Sequence, residues 1–278
     1  LYTRNKGGFS DLYIHDLEAD KEQRISANLR AKDPAFSPDG QRIVIDLQGT
    51  LWIREAGETE AQAITDAYYD ARQPHWSPNG QRIVFQSFRD GNWHIWSIKP
   101  DGSDPRQHTF GPYDEREPQY SPQGDQIAFS SDRAGDYDVW TLRLEDGKTF
   151  QITETTSHEY TPTWSSDGTM LAYASSREGG SIWTRPQDGG SEKLIATTPG
   201  AIAPSWDPDG QRIAFPAVTQ GQTALYVTEL RAEPNTSPKM LSKPGDDVFP
   251  FHPHWISGDQ ILYTSDGVIK TVDLEGSY

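Results

Sequence analysis

The stretch Pro74-His-Trp-Ser-Pro-Asn-Gly-Gln-Arg-Ile-Val-Phe85 decides the fold, because it keeps returning along the chain. Its relatives are Pro34-Ala-Phe-Ser-Pro-Asp-Gly-Gln-Arg-Ile-Val-Ile45, Pro118-Gln-Tyr-Ser-Pro-Gln-Gly-Asp-Gln-Ile-Ala-Phe129 and Pro162-Thr-Trp-Ser-Ser-Asp-Gly-Thr-Met-Leu-Ala-Tyr173. A fifth runs Pro204-Ser-Trp-Asp-Pro-Asp-Gly-Gln-Arg-Ile-Ala-Phe215, and a degenerate sixth Pro253-His-Trp-Ile-Ser-Gly-Asp-Gln-Ile-Leu-Tyr263. The leading prolines recur in steps of 40, 44, 44, 42 and 49 residues. A period of this length with only short apolar runs inside it belongs to propeller arrays, not helical solenoids.

Each repeat reads as four short strands. The first holds the Pro-x-aromatic triplet. Ser-Pro-Asp-Gly then supplies turn chemistry, with Pro presetting φ, Asp bonding its own backbone and Gly accepting φ > 0. The Ile-Val-Phe or Ile-Ala-Phe run is the second strand. After a Gly turn such as Arg89-Asp-Gly91 comes a third, Ile95-Trp-Ser-Ile98 or Val139-Trp-Thr-Leu142, rich in β-branched and aromatic residues. Phe150-Gln-Ile-Thr153 and Lys193-Leu-Ile195 illustrate the fourth.

The ends of the chain carry partial repeats. Leu1 to Ser26 aligns without gaps on Ala128 to Thr153, which supplies strands two to four, and His252 to Leu274 supplies strands one to three. The reading is an all-β propeller over residues 1–278 as one domain. Its repeats span 1–26 (partial), 33–65, 73–109, 117–153, 161–196, 203–242 and 252–274 (partial). The 26 strands so counted lie between the 24 of six four-stranded blades and the 28 of seven. Seven is favoured, because second and third strands each occur seven times. In the six-bladed alternative the Pro253 strand completes the N-terminal blade and Ile261 to Leu274 is an appendage. Arg231 to Lys243 reads as a lengthened hairpin loop within one blade. A start at Leu1, part-way through a repeat, predicts a monomer that was trimmed or that forms part of a larger chain.

Composition agrees with this class. With 24 Gly and 20 Pro the chain is punctuated too often for helical bundles, and 9 Trp, 12 Tyr and 10 Phe supply core that a 34% hydrophobic content would otherwise lack. The formal charge of −16 opposes binding to nucleic acid or an anionic membrane surface. No apolar run approaches the roughly 18–20 residues needed to span a bilayer. The absence of Cys excludes disulfides, zinc–thiolate sites and a Cys nucleophile.

The Pro-x-Trp-Ser-Pro-Asp-Gly-x-x-Ile-Ala-Phe block, followed by the Ser130 to Trp140 pattern Ser-x-x-Arg-x-Gly-x-x-x-x-Trp, resembles the TolB-type β-propeller repeat. The resemblance covers essentially the whole chain, while the Gly-His and Trp-Asp dipeptides of WD repeats are absent at the corresponding places. It implies a periplasmic or otherwise extracytoplasmic setting, although this chain lacks the N-terminal α/β domain of TolB and shows no signal peptide. Similar propellers also accompany hydrolases and membrane-anchored regulators, where the propeller recognises or gates and the chemistry lies elsewhere.

No catalytic signature is present: no Gly-x-Ser-x-Gly, no phosphate-binding Gly loop and no His-Glu-x-x-His. His158-Glu159 is followed by Tyr-Thr-Pro, which breaks the helix a zinc motif requires. Asp39, Asn79, Asp167 and Asp209 recur once per repeat and read as turn residues. Trp76, Trp164, Trp206 and Trp255 read as packing between blades.

Positions that differ between repeats are better candidates for function. The loops entering each first strand concentrate Tyr68, Tyr69, Arg72, Tyr113, Arg116, His158, Tyr160, Phe249 and Phe251, and Tyr and Arg are enriched in interface hot spots. Set against ordinary solvated loops, they form a candidate funnel for a protein or peptide. Residues flanking the repeat prolines are expected around a channel, where His75, His252 and His254 with Asp33 or Glu117 are a weaker candidate for a divalent metal. No cofactor is otherwise predicted. The favoured function is a non-catalytic protein- or peptide-binding scaffold in the bacterial cell envelope. An accessory gating propeller from a larger peptidase, amidohydrolase or membrane-anchored regulator is the alternative, and small-ligand or metal binding ranks third.

Overall fold

A computed structural model describes residues 2–6, 9–16, 21–24, 31–56, 58, 60–231, 237–265 and 268–277. The strands form seven antiparallel meanders in chain order. The first sheet contains Tyr2–Lys6, Phe9–Asp16 and Lys21–Arg24, and the second Ala31–Phe36, Arg42–Leu47, Thr50–Glu55 and Gln62–Ala63. The third comprises Ala71–Trp76, Ile83–Arg89, Asn92–Ile98 and Arg106–Gln107, and the fourth Glu115–Tyr120, Gln126–Ser131, Asp138–Arg143 and Thr149–Gln151. Glu159–Trp164, Met170–Ser175, Ser181–Pro186 and Lys193–Thr197 make the fifth. Ser205–Trp206, Arg212–Thr219, Gln222–Glu229 and Lys239–Met240 make the sixth, and His254–Trp255, Gln260–Ser265 and Val268–Asp273 the seventh.

This inventory overturns the preference for seven four-stranded blades. Among the described residues five sheets have four strands, and the sheets nearest the two termini have three each. The hairpin of second and third strands recurs seven times, and that is what the repeat count registers. A complete blade also needs an inner and an outer strand, and among the described residues the terminal sheets each show only one of the two. Six is the count left standing, though not with the closure described for it, because His254–Trp255 pairs with the strand that follows it. Of the Arg231 to Lys243 loop, residues 232–236 lie outside the described residues, as do parts of the 1–26 repeat.

In the second to fifth sheets the first strand is longer than the Pro-x-aromatic triplet, whereas in the sixth and seventh it is only Ser205–Trp206 and His254–Trp255. The longer ones begin three residues before the proline and cross a register shift at the pre-proline residue, between Lys32/Ala35, Arg72/His75, Arg116/Gln119 and Tyr160/Thr163. The pre-proline residues Asp33, Gln73, Glu117, Thr161 and, entering the sixth sheet, Ala203 adopt left-handed φ of 46, 50, 58, 50 and 48°. A bulge of this kind lets a strand continue through a residue that has no N–H to give. Arg72, Arg116 and Tyr160 therefore stand on strands.

The chain divides into two compact units, Leu1–Arg133 with Leu142–Thr149, and Ala134–Thr141 with Phe150–Tyr278. In the first, Val44, Leu51, Ile53, Trp76, Ile83 and Phe85 form a core between the second and third sheets. In the second, Ala172, Ile182, Trp206, Ile213 and Phe215 join the fifth and sixth sheets, and Leu225, Trp255 and Ile261 join the sixth and seventh. The repeat turn behaves as its residues dictate. Ser77 Oγ donates to Asn79 Oδ1 at 2.8 Å, and Asn79 Oδ1 accepts from Gln81 N at 3.0 Å. Ser165, Asp167 and Thr169 repeat the pattern.

Candidate functional site

Strand direction places two kinds of loop at opposite ends of the third sheet. The Ser-Pro-Asn-Gly turn lies at one end. The Asp66–Asp70 segment, the Arg89–Asn92 hairpin tip and the 110–114 loop lie at the other. Candidate residues of the first unit gather at this second end. A single 3-10 turn, Ala67–Tyr69, is capped by Asp66, whose side chain accepts from Tyr68 N, and it ends at Asp70 with a left-handed φ of 40°. Tyr68 stands 91% exposed on it.

The organising residue is Trp93. Its backbone N–H donates to Asp114 Oδ1 at 2.9 Å, which ties the hairpin tip to the loop entering the fourth sheet. The Arg72 and Arg116 guanidinium carbons lie over its ring at 5.3 and 5.4 Å, and Phe88 packs on it at 5.4 Å between centroids. Each arginine is oriented by the aspartate two residues before it. Arg72 meets Asp70 through Nε–Oδ1 at 2.8 Å and Nη2–Oδ2 at 3.2 Å, and Arg116 meets Asp114 at 2.8 Å. Phe88, at 42% exposed, and Tyr113, at 37%, extend this surface. Cation–π contacts and fixed ion pairs hold these long side chains in place, so little side-chain entropy remains to be lost on binding.

The remaining candidate residues are placed as follows. Tyr69 stacks on Arg89, with 3.5 Å between the guanidinium carbon and the ring centroid. Tyr113 faces Arg133 at 5.9 Å. In the second unit, His158 is exposed, accepts from Tyr137 N at 3.3 Å and meets the Tyr137 ring edge-on. Tyr160 is half-buried against the core of the fifth and sixth sheets. Phe249 and Phe251 pack on each other at 6.0 Å.

The proline-flanking residues make structural bonds. His75 Nδ1 accepts from Tyr120 N at 3.3 Å, and His252 Nδ1 donates to the Pro204 carbonyl at 2.7 Å. Glu117 accepts from Ser130 Oγ at 2.7 Å while its N–H donates to Gln86 Oε1 at 2.8 Å. Asp33 sits at the bulge of the second sheet, and His254 opens the short first strand of the seventh. Among the described residues no group of three or more His, Cys, Asp or Glu is arranged to hold a metal ion.

Sequence reading missed Trp93, Phe88 and Arg89. The signal was available: large aromatic residues flank the Arg89-Asp-Gly91 turn at a hairpin tip, where burial is least expected. A cavity of about 660 Å³ at the Ser-Pro-Asn-Gly end is lined by Arg42, Glu55, Gln81, Lys99 and Asp101. Its charges are mixed, and it holds none of the candidate residues.

The TolB beta propeller domain model matches residues 1–116 and 112–200. The chain belongs to the TolB β-propeller domain family. None of the curated proteins matches it. Among solved structures, TolB from Acinetobacter baumannii is 19% identical, with a TM-score of 0.66 over 82% of this chain and 60% of that one. Oligogalacturonate lyase from Vibrio parahaemolyticus is 16% identical, with a TM-score of 0.76 over 96% and 84%. A puromycin-hydrolyzing peptidase from Mycobacterium tuberculosis is 17% identical, with a TM-score of 0.75 over 99% and 51%. The chain thus spans less than two thirds of that TolB and about half of the peptidase. At these identities the likeness is one of fold, and TolB-like propellers share that fold with a lyase and a peptidase. Among the described residues no helix is long and apolar enough to cross a membrane.

Proposed function

We propose that this TolB-family propeller is a non-catalytic binding scaffold that takes a protein or peptide partner at the Arg72–Trp93–Arg116 end of its third and fourth sheets. The carrying observation is that two oriented guanidinium groups lie over the Trp93 ring, beside the exposed Phe88. Trp, Tyr and Arg are the residues that dominate interface energetics. A cell-envelope setting rests on the family resemblance. A second reading, an accessory propeller of a larger hydrolase, is favoured by the match to about half of the peptidase chain. In both readings this end of the sheets recognises and does no chemistry.

The test is selection of displayed peptides on the wild-type chain, followed by measurement of the same peptides on the Arg72→Ala/Trp93→Ala/Arg116→Ala variant. At least a tenfold loss of affinity in a variant that still unfolds cooperatively is expected. Equal affinity in both proteins overturns the proposal.

A further inference from the structure

The third, fourth and fifth sheets each place an arginine at or just after the end of the second strand: Arg89, Arg133 and Arg177. Each bonds the serine two residues earlier. The Nε atoms lie 2.9, 3.2 and 2.9 Å from the Oγ of Ser87, Ser131 and Ser175. Directly across the sheet from these serines stand Ala71, Glu115 and Glu159, the residues that open the first strands. Arg133 pairs with Glu115, whose other oxygen holds His94 Nδ1 at 2.7 Å. Arg177 pairs with Glu159 at 3.4 Å and Glu192 at 2.6 Å. Where the glutamate is missing elsewhere the arginine is missing too: Ala31 goes with Gly49, and Ala201 with Thr219. Of the second to sixth sheets, only the third keeps the arginine without the glutamate.

Arg89 is held by other means. Its guanidinium carbon lies 3.5 Å from the Tyr69 ring centroid and 3.7 Å from that of Trp96. Its Nη2 and the Trp96 Nε1 are both buried, and neither has a hydrogen-bond partner among the described residues. Burial lowers the Arg89 pKa below its ordinary value. A buried donor left unsatisfied costs about 1–3 kcal/mol, and more for a charged group. The Arg89 Nη2 donor, at a guanidinium–indole stack beside a fully buried alanine where sister sheets carry a carboxylate, describes a site lacking its acceptor.

We infer that the third sheet binds a carboxylate supplied from outside the chain, which takes the role of Glu115 and Glu159 by accepting from Arg89 Nη2. Tyr69 covers the guanidinium from an exposed single-turn segment, and it is the group a ligand displaces. The carboxylate belongs either to a free dicarboxylate or to an acidic side chain of a bound peptide. The site adjoins the Trp93 surface, since Arg89 follows Phe88 at the same hairpin tip, but its test reads Arg89 and Trp96, so its failure and that of the function proposed above are distinguishable.

The test compares wild type, Ala71→Glu, Ala71→Gln and Arg89→Met by thermal unfolding and by the indole N–H resonance of Trp96, assigned with Trp96→Phe. Probes are glutarate, capped glutamate and, as a neutral control, capped glutamine. In wild type, glutarate or capped glutamate is expected to shift the Trp96 resonance saturably and raise Tm, while capped glutamine does neither. A response to glutarate alone identifies a free acid, and a response to capped glutamate identifies an acidic side chain. Ala71→Glu, carrying the carboxylate internally, is expected to gain about 3 °C in Tm and to ignore both acids, with Ala71→Gln gaining nothing. A wild type unresponsive to both acids, or an Arg89→Met variant that responds equally, overturns the inference, whether or not Ala71→Glu folds.

Discussion

Trp76 donates its indole N–H to the Ala35 carbonyl at 3.1 Å, which fastens the third sheet to the second. The relationship recurs: Trp206 donates to the Thr163 carbonyl at 3.4 Å, and Trp255 to that of Ser205 at 3.1 Å. The acceptor is each time the residue after the proline of the preceding repeat. In these three repeats one tryptophan thus contributes apolar area to the core and satisfies a backbone carbonyl next door.

Trp76→Phe keeps most of that area but strands the Ala35 carbonyl. It is expected to cost about 1–2 kcal/mol, read as a lower urea midpoint with an unchanged slope. Trp76→Ala opens a cavity as well, and about 3–5 kcal/mol is expected. A Trp76→Phe variant as stable as wild type would show that the hydrogen bond contributes nothing.

Two glycines with positive φ should answer differently to alanine. At Gly180 (φ 137°) a new Cβ would lie 2.5 Å from Gly200 N and 2.7 Å from Thr198 O, both backbone atoms that cannot swing away. At Gly210 (φ 65°) it would meet nothing within 4 Å. Gly180→Ala is therefore expected to cost on the order of 3 kcal/mol and Gly210→Ala about 1 kcal/mol. Chemical denaturation of both variants checks the ranking.

The repeat turn and the tryptophan packing were legible because their causes are local or periodic. Asn79 bonds Ser77 and Gln81, its own neighbours, and the Trp76 contact returns at Trp206 and Trp255. The blade count was not, since a sequence records hairpins, and a complete blade depends on what pairs outside them. Arg72 and Arg116 stood out as departures from the repeat. Trp93 did not, because its role comes from a bond to Asp114, 21 residues away, across two loops of unrelated sequence. Arg89 looked like turn chemistry, and its peculiarity shows only when Ala71 is found opposite Ser87.

The sister arginines should differ sharply on removal. Arg177→Met leaves Glu159, a fully buried carboxylate whose pKa burial already raises, without its cation. Breaking a buried pair in this way costs about 3–5 kcal/mol. Arg89→Met strands no carboxylate and deletes an orphaned donor, so it is expected to cost less than about 1 kcal/mol. Similar losses for both, measured in the absence of added carboxylates, would mean that stacking and not charge pairing holds these residues.

Asp46 supplies a pH dependence of defined sign. Burial raises its pKa to about 6, reinforced by Asp33 and Asp70 and opposed by the Gly49 N–H and Arg72. The folded state therefore binds this proton more tightly than the unfolded chain does. The resulting stability is full below the ordinary value of 3.8 and is lost as pH rises through about 6. Asp46→Asn mimics the protonated acid and keeps the oxygen that accepts from Gly49 N at 3.0 Å. It is expected to match wild type near pH 4 and to exceed it above pH 7, by at most about 3 kcal/mol. Thermal unfolding of both proteins from pH 4 to 8 reads this directly. Parallel profiles would show that Asp46 is ionised without penalty, and that Arg72, already shared with Asp70, neutralises it as well.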